Sequence, residues 1–403
     1  MNDARTKILW HVLRVLVAAV LIAYVVSQAT FRDSVRPTAP DEAPLPILRE
    51  SPAAVVVRAP NGTERVIQRE EFRPGGAVRI QGIFSIAARL ADRWGLALAA
   101  VAAMLFQQPF SAVRWQLLLA VQGIRITFME SLRLTYIGAF FSNWMPGATG
   151  GDVVKAYYVA QQTHRKAEAV TIVFFDRFIG LVAVGVLGAA AGVAAGAATV
   201  GDAGVRVARL VDAAFLGVVL LAGVLFYSRL ARRLFLSSRL FDPLTRWPLI
   251  ARVDRALFIY RDHKGKVALS VLYSWGAQIA GVFAVWWLAA GLGSRAFWYH
   301  YFLIVPVIWI AWSLIPVPGG FGVAETLMQK LFTAAVLGAA AVAAGSPAMP
   351  PAEAATLALA MILAYRLVQM LVSLPGGVLY LARRTGVSPL HMREAMEAEP
   401  LDA

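Results

Sequence analysis

Runs of about twenty consecutive apolar residues recur along this 403-residue chain, and that length matches one α-helical crossing of a bilayer's hydrocarbon layer. Such runs lie at roughly 8–26, 94–121, 168–196, 210–228, 267–290, 300–317, 321–345 and 354–382, which predicts about eight transmembrane helices. Composition agrees: 59% of residues are apolar and only 15% are charged, against about 25% charged in an ordinary soluble domain. A disordered chain and a water-soluble enzyme are both poor readings of those proportions. The expected class is an all-α polytopic membrane protein.

The net charge of +14 could signal nucleic acid, a membrane surface or an anionic lipid, and its placement decides between them. Between 229 and 266 ten Arg and Lys face three Asp, a local +7, which puts that loop in the cytoplasm by the positive-inside rule. Arg125 and Arg133, Arg165 and Lys166, and the tail carrying Arg383, Arg384 and Arg393 fall on the same side. The charge is thus topology and lipid-surface charge rather than a nucleic-acid footprint, and no nucleic-acid partner is expected. An even number of spans puts both termini in the cytoplasm, with the cytoplasmic (inner) membrane of a bacterium as the expected location.

Four parts are expected: a first transmembrane helix over 1–26, an extracytoplasmic insert over 27–93, the transmembrane domain over 94–385 and a cytoplasmic tail over 386–403. His11 and Arg14 interrupt the first apolar run and no A-x-A site closes it, so it reads as an uncleaved helix rather than a signal peptide. In the insert, Pro37, Pro40, Pro44 and Pro46 break regular structure. Two short strands then flank an Asn61-Gly62 turn, and Val78–Ile80 forms a third. Residues 132–163 hold two apolar pieces of about a dozen residues around MPGATGGD, each too short to cross, which predicts re-entrant half-helices entering and leaving on the cytoplasmic side.

A charge at the bilayer centre costs about 2.5–3.5 kcal/mol on the mild insertion scale, so the charges inside apolar segments carry information. They are Asp152 and Lys155 beside the first glycine loop, Asp176 and Arg177 in TIVFFDRFIGLVAV, Glu325 in IPVPGGFGVAETL, and Arg366 in LAMILAYRLVQML. Arg114 and Lys330 lie nearer predicted span ends, where they can snorkel. Asp176 and Arg177 are adjacent, so each needs a partner on a different helix; the alternative to a functional role is a structural ion pair. In the two glycine loops, Gly150 and Gly151 precede Asp152, and Gly319 and Gly320 precede Glu325. Each loop allows a sharp turn and presents a helix N-terminus suited to phosphate or carboxylate. Neither is a Walker P-loop.

Glycine loop, acid, then an arginine-bearing span occurs twice, Asp152 to Arg177 and Glu325 to Arg366, which points to an internal repeat; an inverted pair around a midplane site is one arrangement this order allows. Gly188, Gly192 and Gly196 make a small-residue face for helix packing, and the tryptophans at 286, 287, 298, 309 and 312 read as interfacial anchors. Cysteine is absent and the five histidines lack ligand spacing, so no metal or cofactor is expected.

At PGATGGDVVKAYYV followed by FDRFIGL, and at PVPGGFGVAE followed by the Arg366 span, the chain resembles the lysylphosphatidylglycerol synthetase transmembrane-region family, of the flippase-like superfamily, over about residues 94–385. In bifunctional members of that family a separate soluble C-terminal domain performs aminoacyl transfer while the membrane part moves the lipid. Here the chain ends about 20 residues after the last span, so the resemblance implies a stand-alone lipid translocase rather than an enzyme. Asp152, Arg177 and Glu325 match the family's motif positions, whereas Asp176-Arg177 stands where members often have Glu-Arg, and the insert is longer than expected. The implied partner is a membrane lipid with a phosphate headgroup. Two other readings stay open: a membrane-embedded transferase acting on a lipid-linked substrate with Asp152 as its nucleophile or general base, and a non-catalytic partner that recruits an envelope-synthesis enzyme through the insert.

Overall fold

The computed structural model describes residues 33–36, 45–51, 53–59, 61–71, 78–80, 82–144, 150–162, 166–195, 203–227, 259–260, 262–294, 296–314, 323–336 and 351–382. The first expected span at 8–26, most of the basic loop 229–266 and the tail 386–403 lie outside the described residues.

Five short strands come first: β1 (Ser34–Arg36), β2 (Leu45–Glu50), β3 (Ala54–Arg58), β4 (Glu64–Gln68) and β5 (Val78–Ile80). They form one antiparallel sheet in the order β4-β3-β2-β1-β5, closed over Val35, Leu45, Val55, Val57 and Ile67. The β3–β4 hairpin pairs Arg58 with Glu64 and turns at Gly62, whose φ of 84° only glycine adopts easily. Pro37, Pro40 and Pro44 lie outside the described residues, and Pro46 does not abolish pairing as expected. Pro46 lies in β2 opposite Ser34, and a register shift follows between Ile47 and Arg49. Proline is tolerated near a strand's start, and Ile47 N–H donates to Asp33 O instead at 3.0 Å.

The helices are α1 (Ile83–Asp92), α2 (Trp94–Val121), α3 (Phe128–Trp144), α4 (Gly150–Gln162), α5 (Lys166–Ala194), α6 (Ala203–Tyr227), α7 (Lys264–Gly291), α8 (Trp298–Leu314), α9 (Val323–Val336) and α10 (Pro351–Ala382). Among the described residues four are long and apolar enough to cross a membrane: α2, the Phe175–Ala194 part of α5, α7 and the Ala354–Ala382 part of α10. The expected span at 8–26 and the end of the one at 321–345 lie outside the described residues, so these four are no count of the whole chain. Arg206, Arg209 and Asp212 occupy the first half of α6. Helices α8 and α9 are described over 17 and 14 residues.

Two interactions orient the bundle. The Arg93 guanidinium donates to Ala290 O at 2.7 Å where α2 begins and α7 ends, while Tyr260 OH donates to Leu118 O at 3.2 Å at the opposite end. Helices α2 and α7 are therefore antiparallel. The first end adjoins the sheet, since β5 contacts α10 and leads into α1. The second end carries exposed Arg125, Arg133, Lys264 and Lys266. We call these the sheet end and the basic end.

The short helices pair into two hairpins that start from opposite ends. Helix α3 begins at the basic end just after α2, and α4 packs back along it, with Gly151 against Gly138. Helix α8 begins at the sheet end just after α7, and α9 returns along it, with the Tyr301 and Phe332 rings 5.9 Å apart. Each hairpin sits in its own apolar core. One core gathers Leu118, Phe140, Tyr158 and Phe175 at the basic end; the other gathers Val285, Leu303, Phe332 and Tyr365 toward the sheet end. The expected re-entrant pair at 132–163 is thus α3 and α4, and the second half supplies a counterpart of reversed direction.

Helices in lipid associate through close packing rather than through a hydrophobic effect between them, and glycine permits that approach. Along α5, Gly185 meets the Phe215 ring and Gly188 the buried Asp212 carboxyl of α6; Gly196 lies outside the described residues. The sequence element Leu374-Pro375-Gly376-Gly377 is no loop: it continues α10, and a Cβ at Gly376 would stand 1.9 Å from Tyr136 O of α3. Gly376→Ala should therefore lower stability by about 1–3 kcal/mol. Gly217→Ala, at a helical position with nothing within 4 Å, should be neutral or gain up to about 1 kcal/mol. Thermal unfolding of the purified variants in one detergent checks both signs.

Candidate functional site

Helix α5 presents Asp176 and Arg177 about 100° apart around its axis, so adjacent residues reach different helices. Asp176 turns to α2, where the Arg114 guanidinium grips it with two parallel bonds, Nε to Oδ1 at 2.7 Å and a terminal nitrogen to Oδ2 at 2.9 Å. The other terminal nitrogen of Arg114 donates to Ser274 Oγ of α7 at 3.3 Å. Both side chains are mostly buried, with 15% of Arg114 and 7% of Asp176 exposed. The fork geometry gives a strong charge-assisted pair. Arg114 was ranked low in sequence because it lies near the predicted end of its span; the structure makes it the partner of Asp176.

Arg177 turns to α4, where its Nε donates to Asp152 Oδ2. This pair is more open than the first, with 35% of the Arg177 and 17% of the Asp152 side chain exposed. Lys155, one turn beyond Asp152, places Nζ 5.2 Å from the centre of the Trp115 ring and has no carboxylate partner among the described residues. What brings α4 into position is Gly151. A Cβ there would stand 1.9 Å from Gly138 O and 2.3 Å from Ser142 Oγ, so only glycine lets the hairpin arms close. Gly150 and Gly151 were expected to turn the chain and offer amides to a ligand; both instead begin α4, and neither lines the cavity described next.

Asp152, Lys155, Asp176 and Arg177 all line a single cavity of about 450 Å³, together with Arg114. It lies between the hairpins: Ser142, Asn143 and Asp152 come from α3 and α4, while Trp309, Trp312 and Ser313 come from the inner end of α8. Gln107 and Gln108 of α2, Gln278 of α7 and Gln369 of α10 complete the wall. Among the described residues three cations and two carboxylates line it, leaving one positive charge in surplus. Arg366 is not in the wall but stands behind it, 93% buried, with its guanidinium 4.7 Å over the Trp312 ring. Glu325 falls in the first turn of α9 by its backbone, whereas Gly319 and Gly320 lie outside the described residues. Among the described residues no three His, Asp or Glu side chains gather as a metal site.

Sequence reasoning missed the amides, ranked Arg114 low, and gave Trp309 and Trp312 no place in the cavity wall. The signal for the amides was present: Gln107-Gln108 and Gln278 interrupt apolar spans just as the charges do, at smaller cost. Trp309 and Trp312 carry no such signal. Helix α8 is apolar on all sides, so only the tertiary packing tells a wall residue from an interfacial anchor.

Removing one partner of a buried ion pair strands the other, at about 3–5 kcal/mol, while replacing both by apolar groups is far milder. Asp176→Asn should therefore destabilise the protein more than the double variant Arg114→Met with Asp176→Leu, and a double-mutant cycle read by thermal unfolding measures the coupling.

Residues 77–349 match the family model described as lysylphosphatidylglycerol synthase TM region, a stretch that holds helices α1 to α9 and all of the described cavity wall except the residues of α10. The UPF0104 membrane protein PH1989 of Pyrococcus horikoshii is 26% identical over 247 residues, covering 55% of this chain and 72% of that protein. No solved structure matches the chain. With its apolar spans, its paired short helices and a match over more than half its length, the chain is an integral multi-pass membrane protein and belongs to the lysylphosphatidylglycerol synthase TM region family.

Proposed function

We propose that this protein moves a lipid with a phosphate-bearing, anionic headgroup across the membrane, by flipping or scrambling, and that it is a transporter rather than an enzyme. The observation that carries the reading is the surplus cation in a cavity among apolar helices: Lys155 with its ammonium on Trp115 and, among the described residues, no carboxylate partner. A charge held there is costly unless an anion comes to it. The cavity is of a size for a headgroup, so the acyl chains stay in lipid.

The more exposed Asp152–Arg177 pair is the part that can give way. A phosphate entering beside Lys155 competes with Asp152 for the Arg177 guanidinium, and the freed Asp152 is available to a headgroup amine or hydroxyl or to a proton. The buried Arg114–Asp176 pair holds α2 to α5 throughout and keeps the wall in shape. Hairpins that enter from opposite ends offer the headgroup a route to either face, the logic of transporters built around a midplane site. Exposed Arg125, Arg133, Lys264 and Lys266 support a cytoplasmic basic end in a bacterial cytoplasmic membrane, with the sheet outside. That sheet is also where a synthase of the cell envelope would dock if the chain served as its partner.

In proteoliposomes carrying a fluorescent phosphatidylglycerol, Lys155→Met and Arg177→Ala should each slow translocation about tenfold or more, the value of one or two charge-assisted bonds. Glu325→Gln tests the matching position in the second hairpin. Wild-type rates in all three variants, with unchanged thermal unfolding, reject the assignment.

A further inference from the structure

We infer that the cavity recognises a polyhydroxylated headgroup, a polyol or sugar attached through a single phosphodiester; this rests on the phosphate-lipid reading above. The first observation is Gln278. It is 93% buried, its Nε2 donates to Gly180 O at 2.8 Å, and its Oε1 is buried with no hydrogen-bond partner among the described residues. The bond to Gly180 settles which end of the amide is which, so the atom left over is an acceptor. A phosphodiester cannot serve it, because it carries no proton at neutral pH. It calls for a hydroxyl or an ammonium.

Charge decides between those two. Among the described residues the wall has three cations for two carboxylates, and an ammonium would add a fourth positive charge, whereas one phosphodiester with neutral hydroxyls balances them. The rest of the wall fits hydroxyls. Gln107, Gln108, Asn143 and Gln369 join Gln278 around one space, and each amide offers both a donor and an acceptor, as vicinal hydroxyls require. Ordinary small-molecule pockets are mainly apolar with a few polar groups, so five amides in a membrane cavity are a specific arrangement. Trp309 and Trp312 add flat apolar faces on the α8 side, against which the C–H face of a ring can lie.

The test measures binding to the purified full chain in detergent by microscale thermophoresis. The probes are dioctanoyl phosphatidylinositol, phosphatidylethanolamine and phosphatidic acid, with free myo-inositol 1-phosphate as the soluble arm. Phosphatidylinositol should bind about tenfold more tightly than the other two lipids. Gln278→Met should weaken it about two- to tenfold, the worth of one hydrogen bond, while changing phosphatidic acid less than twofold. Asn143→Leu repeats the comparison should Gln278→Met not fold. Equal binding of the three lipids, or tighter binding of phosphatidylethanolamine, overturns the inference and leaves the phosphate reading standing. Equal weakening of all lipids by Gln278→Met also overturns it, since that marks a structural residue. If no lipid binds, the phosphate reading itself fails. Inositol phosphate binding as tightly as the lipid retains hydroxyl recognition and makes a soluble sugar phosphate its source; binding only with acyl chains attached assigns the lipid.

Discussion

The two-bond grip of Arg114 on Asp176 is the contact around which the bundle is arranged. It joins α2 to α5, and the third arm of the guanidinium reaches Ser274 of α7, so one cation ties three long helices together. Ions at this depth are held only if their remaining hydrogen-bonding capacity is met. Meeting it fixes the rotation of α5, and that rotation aims the next residue, Arg177, at α4. The cavity is a consequence of where those two adjacent side chains must go.

The second organising fact is that the short helices come in oppositely directed pairs. A helix of 13 to 17 residues leaves its inner end within the membrane, where unsatisfied backbone groups are expensive unless they face protein or a polar space. Two such pairs, one in each apolar core, bring their inner ends toward the same place. Polar side chains near those ends, Ser142 and Asn143 on one hairpin and Ser313 on the other, then line a common cavity that neither hairpin could form alone. Glycine makes the geometry feasible, because Gly138 with Gly151 and Gly376 with Tyr136 allow backbones to touch where any side chain would separate them.

Much of this was legible in the residues. Asp152, Lys155, Asp176 and Arg177 stood out because charge inside an apolar segment is rare, and the structure brings all four to one cavity wall. The need of Asp176 and Arg177 for partners on different helices followed from helical geometry, and α2 and α4 supply them. The β3–β4 hairpin followed from Asn61-Gly62. The identity of the partners was not legible: Arg114 near a span end looks like any snorkelling arginine, and its depth depends on how α2 sits against α7. Strand β2 was hidden because proline reads as a breaker, while its tolerance depends on which strand edge needs its missing donor.

By itself the sequence determined that the chain lives in a membrane, that two places break their helices at glycine, and that a few charges are kept where they cost most. Those properties depend on hydrophobicity and chain chemistry, which are local. The tertiary structure decided which charges neutralise each other, that Lys155 has no carboxylate partner among the described residues, that Gly151 serves packing, and that amides from four helices meet. Those outcomes depend on helix rotation and on contacts between residues far apart in the chain, and no local pattern encodes them.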